Sequence, residues 1–118
     1  MNEPSVAVVI IHWNKRNLLE QFLPSVCAST YPNLKIYVAD NASTDDSVQW
    51  LNQHYPHIHI IQLDKNYGYA GGYNKALQQI EADYFVLLNN DVEVPLTWIE
   101  PVIAVMQADK SVAAAQPK

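Results

Sequence analysis

The chain alternates short apolar runs with stretches of helical spacing, and few folds accommodate that alternation. The runs, at residues 6–11, 34–39, 58–63, 84–88 and 112–115, are rich in β-branched or aromatic residues and suit strands covered on both faces. The helical stripes between them are Leu18, Leu19, Phe22, Leu23 and Val26; Val48 and Leu51; Ala76, Leu77 and Ile80; and Trp98, Val102, Val105 and Met106. This order predicts an α/β fold of βαβ units, with a mostly parallel sheet and helices on both faces.

Prolines and small polar residues mark the expected element boundaries. We expect Pro32 to end the first helical segment, Pro56 to precede the third strand, and Pro95 to start the fourth helix. Residues 43–46, Ser-Thr-Asp-Asp, match a capping box for the second helix, with Asp in place of Glu. Because nothing follows the last strand to cover it, we expect residues 1–118 to form a single, truncated domain; a small complete domain is the alternative.

Composition excludes several classes of protein. With 7 Lys plus Arg against 12 Asp plus Glu and a net charge of -5, the chain lacks the basic surface that nucleic acid requires. The single cysteine, Cys27, cannot form an internal disulfide, and the N-terminus does not resemble a signal peptide, so a cytoplasmic location is predicted. No apolar run approaches the roughly 20 residues of a transmembrane helix.

Polar residues cluster where the predicted strands end. They are His12, Trp13 and Asn14; Asp40 and Asn41; Asp64, Lys65 and Asn66; and Asn89, Asn90, Asp91 and Glu93. Ligands of open parallel sheets bind at this carboxyl edge, although Asn and Asp also form turns and helix caps there. Asp91, which follows an apolar strand, is the candidate ligand for a hard divalent cation such as Mg²⁺ or Mn²⁺.

All three glycines, Gly68, Gly71 and Gly72, lie in one segment that we expect to be the loop entering the third helix. Glycine lets a backbone approach a ligand closely, and a helix N-terminus attracts anions, so this segment suggests a diphosphate site; a mobile turn is the alternative. Residues 12–17 lack the glycine fingerprint of dinucleotide-binding folds, and no phosphate-cradling Gly-Lys-Ser/Thr loop is present. Asp40 could bind a ribose hydroxyl or a base N–H of a mononucleotide.

The remaining reactive side chains carry little functional signal. His54, His57 and His59 flank one turn without the spacing of a metal site, and we expect surface or strand-end positions for them. Cys27 lies on the apolar face of the first helix and is predicted to pack in the core. No Ser-His-Asp or Cys-His arrangement can be assembled.

Four segments in order resemble the inverting, nucleotide-sugar-dependent glycosyltransferases of family 2. They are VAVVIIHWNKRNLLEQFLPSV, IYVADNASTDDSVQWL, NYGYAGGYNKAL and DYFVLLNNDVEVPLTWIEPVI, and the resemblance that they carry extends over essentially all 118 residues. They are most similar to a rhamnosyltransferase-like branch with an Asp-Asn-x-Ser-Thr-Asp turn, an aromatic-Ala-Gly-Gly-x-Asn loop and a Leu-Asn-x-Asp strand end. The resemblance implies a GT-A fold in which residues 1–118 form the nucleotide-sugar-binding part.

The resemblance also implies roles for individual residues. Asp40 matches the position that contacts the base or ribose, with Asn41 beside it, and Asp91 matches the last carboxylate of the Asp-x-Asp metal motif. Asn89 occupies the first position of that motif, where a neutral amide replaces a carboxylate. Gly71, Gly72 and Asn74 match the loop against the nucleotide, and the strand-end residues expected beside them are His12, Asn14, Asn66 and Asn90.

The implied reaction is a single displacement at the anomeric carbon of a nucleoside-diphosphate sugar, with Mg²⁺ or Mn²⁺ stabilising the leaving group. No residue of the chain matches the family's catalytic base, so we expect the donor side only. The branch implies dTDP-rhamnose as donor and a glycan or lipid-linked acceptor, at the inner face of the cell membrane or in the cytoplasm. A non-catalytic nucleotide-binding or scaffolding domain stays open as an alternative; a receiver-like signalling module lacks its acidic pair after the first strand.

Overall fold

The computed structural model describes residues 4–108, in which four strands alternate with four helices. Their order is β1 (Val6–His12), α1 (Arg16–Cys27), β2 (Leu34–Asp40), α2 (Ser47–His54), β3 (His59–Gln62), α3 (Gly68–Leu77), β4 (Tyr84–Asn89) and α4 (Ile99–Ala108). The four strands predicted within this range are confirmed, and the fifth, at 112–115, lies outside the described residues. The expected α/β architecture is likewise confirmed.

The strands form one parallel sheet in the order β3-β2-β1-β4. The chain builds the sheet outward from β1 to β3 and then returns, through α3, to the free side of β1. Right-handed connections place α3 on the face opposite α1 and α2. Strand order therefore reverses at β1, and the carboxyl ends of β1 and β4 lie side by side.

Two apolar layers cover the sheet, and alternate residues of β1 enter each of them. Val6, Val8 and Ile10 pack in the larger layer with side chains of α1, α2 and α4. Ala7, Val9 and Ile11 pack in the smaller layer against α3. All seven residues of β1 are buried, which explains why its sequence is continuously apolar instead of alternating.

Two details near α4 differ from expectation. This helix begins at Ile99, so Pro95 lies in the preceding loop and does not start it. The buried positions are Ile99 and Ile103, whereas Val105 of the predicted stripe is 53% exposed. Trp98 of that stripe is buried just before the helix, but within α4 the inward positions lie one residue later than predicted. No helix within residues 4–108 has the length and apolarity to cross a membrane.

Candidate functional site

A cavity of about 310 Å³ opens at the carboxyl edge of the sheet, where β1 and β4 end side by side. This is the point at which strand order reverses, and ligands of open α/β sheets bind in the crevice that such a reversal creates. The lining combines strand ends with the starts of α1 and α3. It consists of Ile11, His12, Trp13, Lys15, Leu18, Asn41, Asn66, Gly68, Tyr69, Asn90 and Asp91.

The cavity brings together five of the predicted site residues, namely His12, Asn41, Asn66, Asn90 and Asp91. Six others, Asn14, Asp40, Gly71, Gly72, Asn74 and Asn89, do not line it. Asn74 is exposed farther along α3, and Asn89 borders a separate narrow space of about 10 Å³. Ligand contacts by these six residues stay predictions.

Asp40 ends β2, and its buried carboxylate is engaged within the protein. One oxygen accepts a hydrogen bond from the Ser43 hydroxyl at 2.6 Å, and the other accepts one from the Ser43 backbone N–H at 2.9 Å. Between these residues, Ala42 has a φ of 62°, in the left-handed region. Asp40 therefore closes a tight turn, and the bonds that it makes there hold the backbone in a conformation that alanine disfavours.

The predicted capping box is wrong: of residues 43–46, Asp45 is the one whose side chain bonds to the first residue of α2, and Asn14 of the β1 edge holds the turn before the helix. The helix begins at Ser47, and Asp45 Oδ1 accepts hydrogen bonds from both the backbone N–H and the hydroxyl of Ser47. Asn14 crosses from the β1 edge, where its Oδ1 accepts the backbone N–H groups of Thr44 and Asp45. The Ser43 hydroxyl donates to Asp40, and its oxygen accepts the backbone N–H of Asn14, so its bonds go to the two strand ends and not to the helix.

Asn41 and Asn66 attach the sheet to the start of α3. Asn41 Nδ2 donates to the Gly68 carbonyl at 3.0 Å, and its Oδ1 accepts the Tyr67 backbone N–H at 3.1 Å. Asn66 Oδ1 accepts the Gly68 backbone N–H at 2.8 Å. Gly68 has a φ of 74°, which glycine adopts without strain. Both the oxygen and the nitrogen of the Asn41 side-chain amide are thus bonded to the backbone at the start of α3, although the residue borders the cavity.

His12 ends β1 and is 1% exposed. Its Nε2 lies 2.8 Å from Ser47 Oγ, and its Nδ1 lies 3.1 Å from Asn90 Nδ2. Burial lowers the pKa of His12 below the ordinary value, and the nearby carboxylates of Asp40 and Asp45 oppose that only in part. The ring is therefore neutral at pH 7 and connects the α2 turn to the end of β4.

The end of β4 has few internal partners. Within residues 4–108 the side chains of Asn89 and Asp91 make no hydrogen bond or ion pair, and both are exposed. Asn90 is half-buried, and its one recorded side-chain bond is that to His12. The carboxylate of Asp91 and the amide oxygen of Asn90 are consequently available to a ligand in the cavity.

The glycines belong to the start of α3, with Gly68 as its first residue, and not to a loop before it, and they differ in role. Gly68 lines the cavity. A Cβ at Gly72 would lie 2.5 Å from Ile11 Cδ1 and 3.0 Å from Asn41 Nδ2, so Gly72 lets the helix pack closely on the sheet. A Cβ at Gly71 would lie 3.0 Å from the Tyr67 Cβ. Close helix–sheet packing therefore favours glycine at position 72 even without a diphosphate.

Trp13, Lys15 and Tyr69 are among the cavity residues that were not predicted as site residues. Trp13 is 47% exposed and Tyr69 is 64% exposed, although both are large aromatic side chains. Lys15 is the cation among the residues that line the cavity. Sequence position alone could have indicated Trp13 and Lys15, because residues directly after the first strand must lie at the carboxyl edge of the sheet, where ligands bind.

The donor set at the β4 end suits a hard divalent cation. Asp91 supplies one carboxylate and Asn90 an amide oxygen, and no group of three His, Cys, Asp or Glu side chains occurs in residues 4–108. Mg²⁺ is commonly held by one or two carboxylates and completes its shell with water and substrate phosphates. The residues therefore fit a Mg²⁺ or Mn²⁺ ion that binds together with a phosphate-bearing ligand.

A sequence profile of the family described as glycosyl transferase family 2 matches residues 7–118. The chain belongs to glycosyl transferase family 2. The resemblance drawn from the four sequence segments is confirmed at the level of the family. Relatives of several specificities match, so the rhamnosyltransferase-like branch is not singled out.

Three curated relatives illustrate this range. The chain is 30% identical over 92 residues to TuaG of Bacillus subtilis (strain 168), a glycosyltransferase named for teichuronic acid biosynthesis, covering 75% of this chain and 36% of that protein. It is 30% identical over 107 residues to the Escherichia coli UDP-Glc:alpha-D-GlcNAc-diphosphoundecaprenol beta-1,3-glucosyltransferase WfaP, covering 89% of this chain and 42% of that protein. It is 28% identical over 97 residues to the N-acetylglucosaminyl-diphospho-decaprenol L-rhamnosyltransferase of Mycobacterium tuberculosis, covering 73% of this chain and 32% of that protein. The chain spans less than half of each relative.

Solved structures show the same fold. TarS 1-349 of S. aureus in complex with UDP superposes with a TM-score of 0.77 at 21% identity, covering 88% of this chain and 32% of that one. The mannosyltransferase PcManGT of Pyrobaculum calidifontis, in complex with GDP-Man and Mn²⁺, gives a TM-score of 0.69 at 25% identity, covering 80% and 30%. The family 2 chain therefore has the GT-A fold that its sequence predicted.

Proposed function

We propose that this protein is an inverting glycosyltransferase and that residues 1–118 form the part of its catalytic domain that binds the nucleoside-diphosphate sugar. The observation that carries the proposal is the cavity at the β1–β4 edge, which is lined by both Asn90 and Asp91. Family membership supports the reaction class. The names of the relatives support a glycan or lipid-linked acceptor. The location that we propose for the reaction is the cytoplasm or the inner face of the cell membrane.

Within the cavity we assign the two ends of the donor to different residues. Trp13 presents an aromatic face on which a nucleobase can stack, an interaction worth about 1–3 kcal/mol per base. Asp91 would hold Mg²⁺ or Mn²⁺, which when bound stabilises the charge of the departing nucleoside diphosphate. Lys15 supplies a further positive charge at the α1 side of the cavity. The base that activates the acceptor is proposed to lie outside residues 1–118.

The donor is proposed to be dTDP-rhamnose, with a UDP-hexose as the competing candidate. The mycobacterial relative supports rhamnose as the transferred sugar. The E. coli relative names UDP-Glc, and TarS has been solved with UDP and with UDP-GlcNAc. Both candidates carry a pyrimidine base, so the nucleotide pocket alone does not separate them.

A thermal-shift panel tests the proposal on the 118-residue chain. UDP-, dTDP- and GDP-linked sugars are compared with and without Mn²⁺, and at least one is expected to raise the melting temperature, further so with Mn²⁺. Asp91→Asn should abolish the Mn²⁺-dependent increment and keep the metal-free shift. Glu93→Gln, which removes the same charge from an exposed side chain two residues away, is the matched control and should retain the increment.

Two results would overturn parts of this proposal. If no nucleotide sugar shifts the melting temperature, the chain does not form a donor site on its own. If the increment persists in Asp91→Asn, the cation is held elsewhere. Glycosyl transfer by purified residues 1–118 would contradict the placement of the base.

A further inference from the structure

The hydrogen bonds around His12 determine where its proton lies. The Ser47 hydroxyl has one proton, which it donates to Asp45 Oδ1 at 2.5 Å. Ser47 Oγ must therefore accept the bond from His12 Nε2 at 2.8 Å, so Nε2 carries the ring proton. A neutral imidazole has one N–H, which leaves Nδ1 as an acceptor.

The acceptor at Nδ1 determines how the amide of Asn90 is turned. Only the NH₂ end of that amide can donate across the 3.1 Å to Nδ1, so the carbonyl oxygen must point away from the ring. No hydrogen bond reaches this oxygen within residues 4–108, and Asn90 borders the cavity beside Asp91. The orientation of the amide is thus set from α2, through Ser47 and His12.

We infer that His12 is a positioning residue, which holds Asn90 so that its amide oxygen faces an electron-poor group of the bound donor complex. The inference rests on the proposed function and extends it to two residues of the chain. The electron-poor group is either the divalent cation or a hydroxyl or N–H of the donor itself. An amide turned the other way would present its NH₂ group to that partner and repel it.

Two substitutions at position 12 separate this role from simple packing. In His12→Asn the new Oδ1 occupies nearly the place of the imidazole Nδ1 and keeps the acceptor for Asn90. In His12→Gln the side-chain end occupies nearly the place of Nε2, which keeps the contact with Ser47 and loses the acceptor. Both variants remove ring volume from the same buried position, so a packing role predicts similar losses for both.

The test titrates the chain calorimetrically with UDP, once with EDTA and once with Mn²⁺. In the Mn²⁺ arm, His12→Gln and Asn90→Ala should each weaken UDP binding roughly fivefold to tenfold, the size of one lost hydrogen bond, and His12→Asn should stay within about twofold of the parent. The double variant His12→Gln/Asn90→Ala should lose no more than either single variant. A loss confined to the Mn²⁺ arm assigns the oxygen to the cation; an equal loss with EDTA assigns it to the donor.

An NMR measurement without ligand keeps the inference separate from the proposed function. The side-chain ¹⁵N–¹H₂ signals of Asn90 should keep their hydrogen-bonded shift in His12→Asn and lose it in His12→Gln. Unchanged signals in His12→Gln, or equal UDP affinity for His12→Gln and the parent, would overturn the inference. So would a loss in His12→Asn as large as that in His12→Gln. Failure of the parent chain to bind UDP would overturn the proposed function and leave the NMR result to decide whether His12 holds Asn90.

Discussion

The ends of β2 and β4 carry the same residue types and use them in opposite ways. At the end of β2, Asp40 and Asn41 are 3% and 4% exposed, and every polar atom of their side chains bonds to the protein. At the end of β4, the side chains of Asn89 and Asp91 are exposed and make no hydrogen bond or ion pair within residues 4–108. Asp and Asn at a sheet edge can therefore stabilise the backbone of one loop and be available to a ligand in another.

The difference has a local cause in the sequence. Asp40 is followed three residues later by Ser43, whose N–H and hydroxyl lie within reach of the carboxylate in a tight turn. Asp91 is followed by Val92, Glu93 and Val94, which offer no side-chain donor. A carboxylate without nearby donors stays solvated until a ligand arrives, and this makes the β4 end the better candidate for cation binding.

Gly72→Val is the substitution expected to cause the largest loss of stability at the end of β2, where α3 packs against Asn41. The added side chain would collide with Ile11 and with the Asn41 amide, so overpacking should lower the free energy of unfolding by about 2–3 kcal/mol. Urea denaturation measures this, and Ala70→Val, at an exposed position of the same helix, is the control that should change little. A stable Gly72→Val variant with weakened UDP binding would instead support the role at the diphosphate that the sequence suggested.

A direct contrast between the two strand ends comes from Asp40→Ala and Asp91→Ala. Asp40→Ala removes the acceptor of two hydrogen bonds in a buried turn and should cost about 2 kcal/mol of stability. Asp91→Ala should change stability by less than about 0.5 kcal/mol, because the side chain is exposed and unpaired in the described structure. Both values come from denaturant titrations without ligand. Equal losses of stability would show that Asp91 also has a structural role at the end of β4.

The sequence predicted the fold better than it predicted the site, for physical reasons. The run at residues 6–11 is apolar on both faces, and only a covered central strand satisfies that pattern, so its place in the sheet follows directly. The site depends on pairings between distant residues, such as His12 with Asn90, which are 78 positions apart and have no periodicity to reveal them. Gly72 shows the same limit, because its contact with Ile11 depends on how α3 crosses the sheet.

The substitution with the smallest expected effect is Ala42→Gly. It tests whether the hydrogen bonds from Ser43 to Asp40 hold the turn after β2 in a strained conformation. Ala42 has a φ of 62°, which costs a residue with a Cβ about 1–2 kcal/mol, whereas glycine pays about 0.4–1 kcal/mol in unfolded-state entropy. Ala42→Gly should therefore raise stability by about 0.5 kcal/mol. Ala104→Gly, at an exposed position inside α4, should instead lower it by about 1 kcal/mol, since a helical alanine carries no such strain. If both variants lose stability alike, Ala42 is not strained and Asp40 holds a relaxed turn. If Ala42→Gly gains stability and Asp40→Ala still loses about 2 kcal/mol, the carboxylate holds the turn against that strain, as expected of a residue with a structural role.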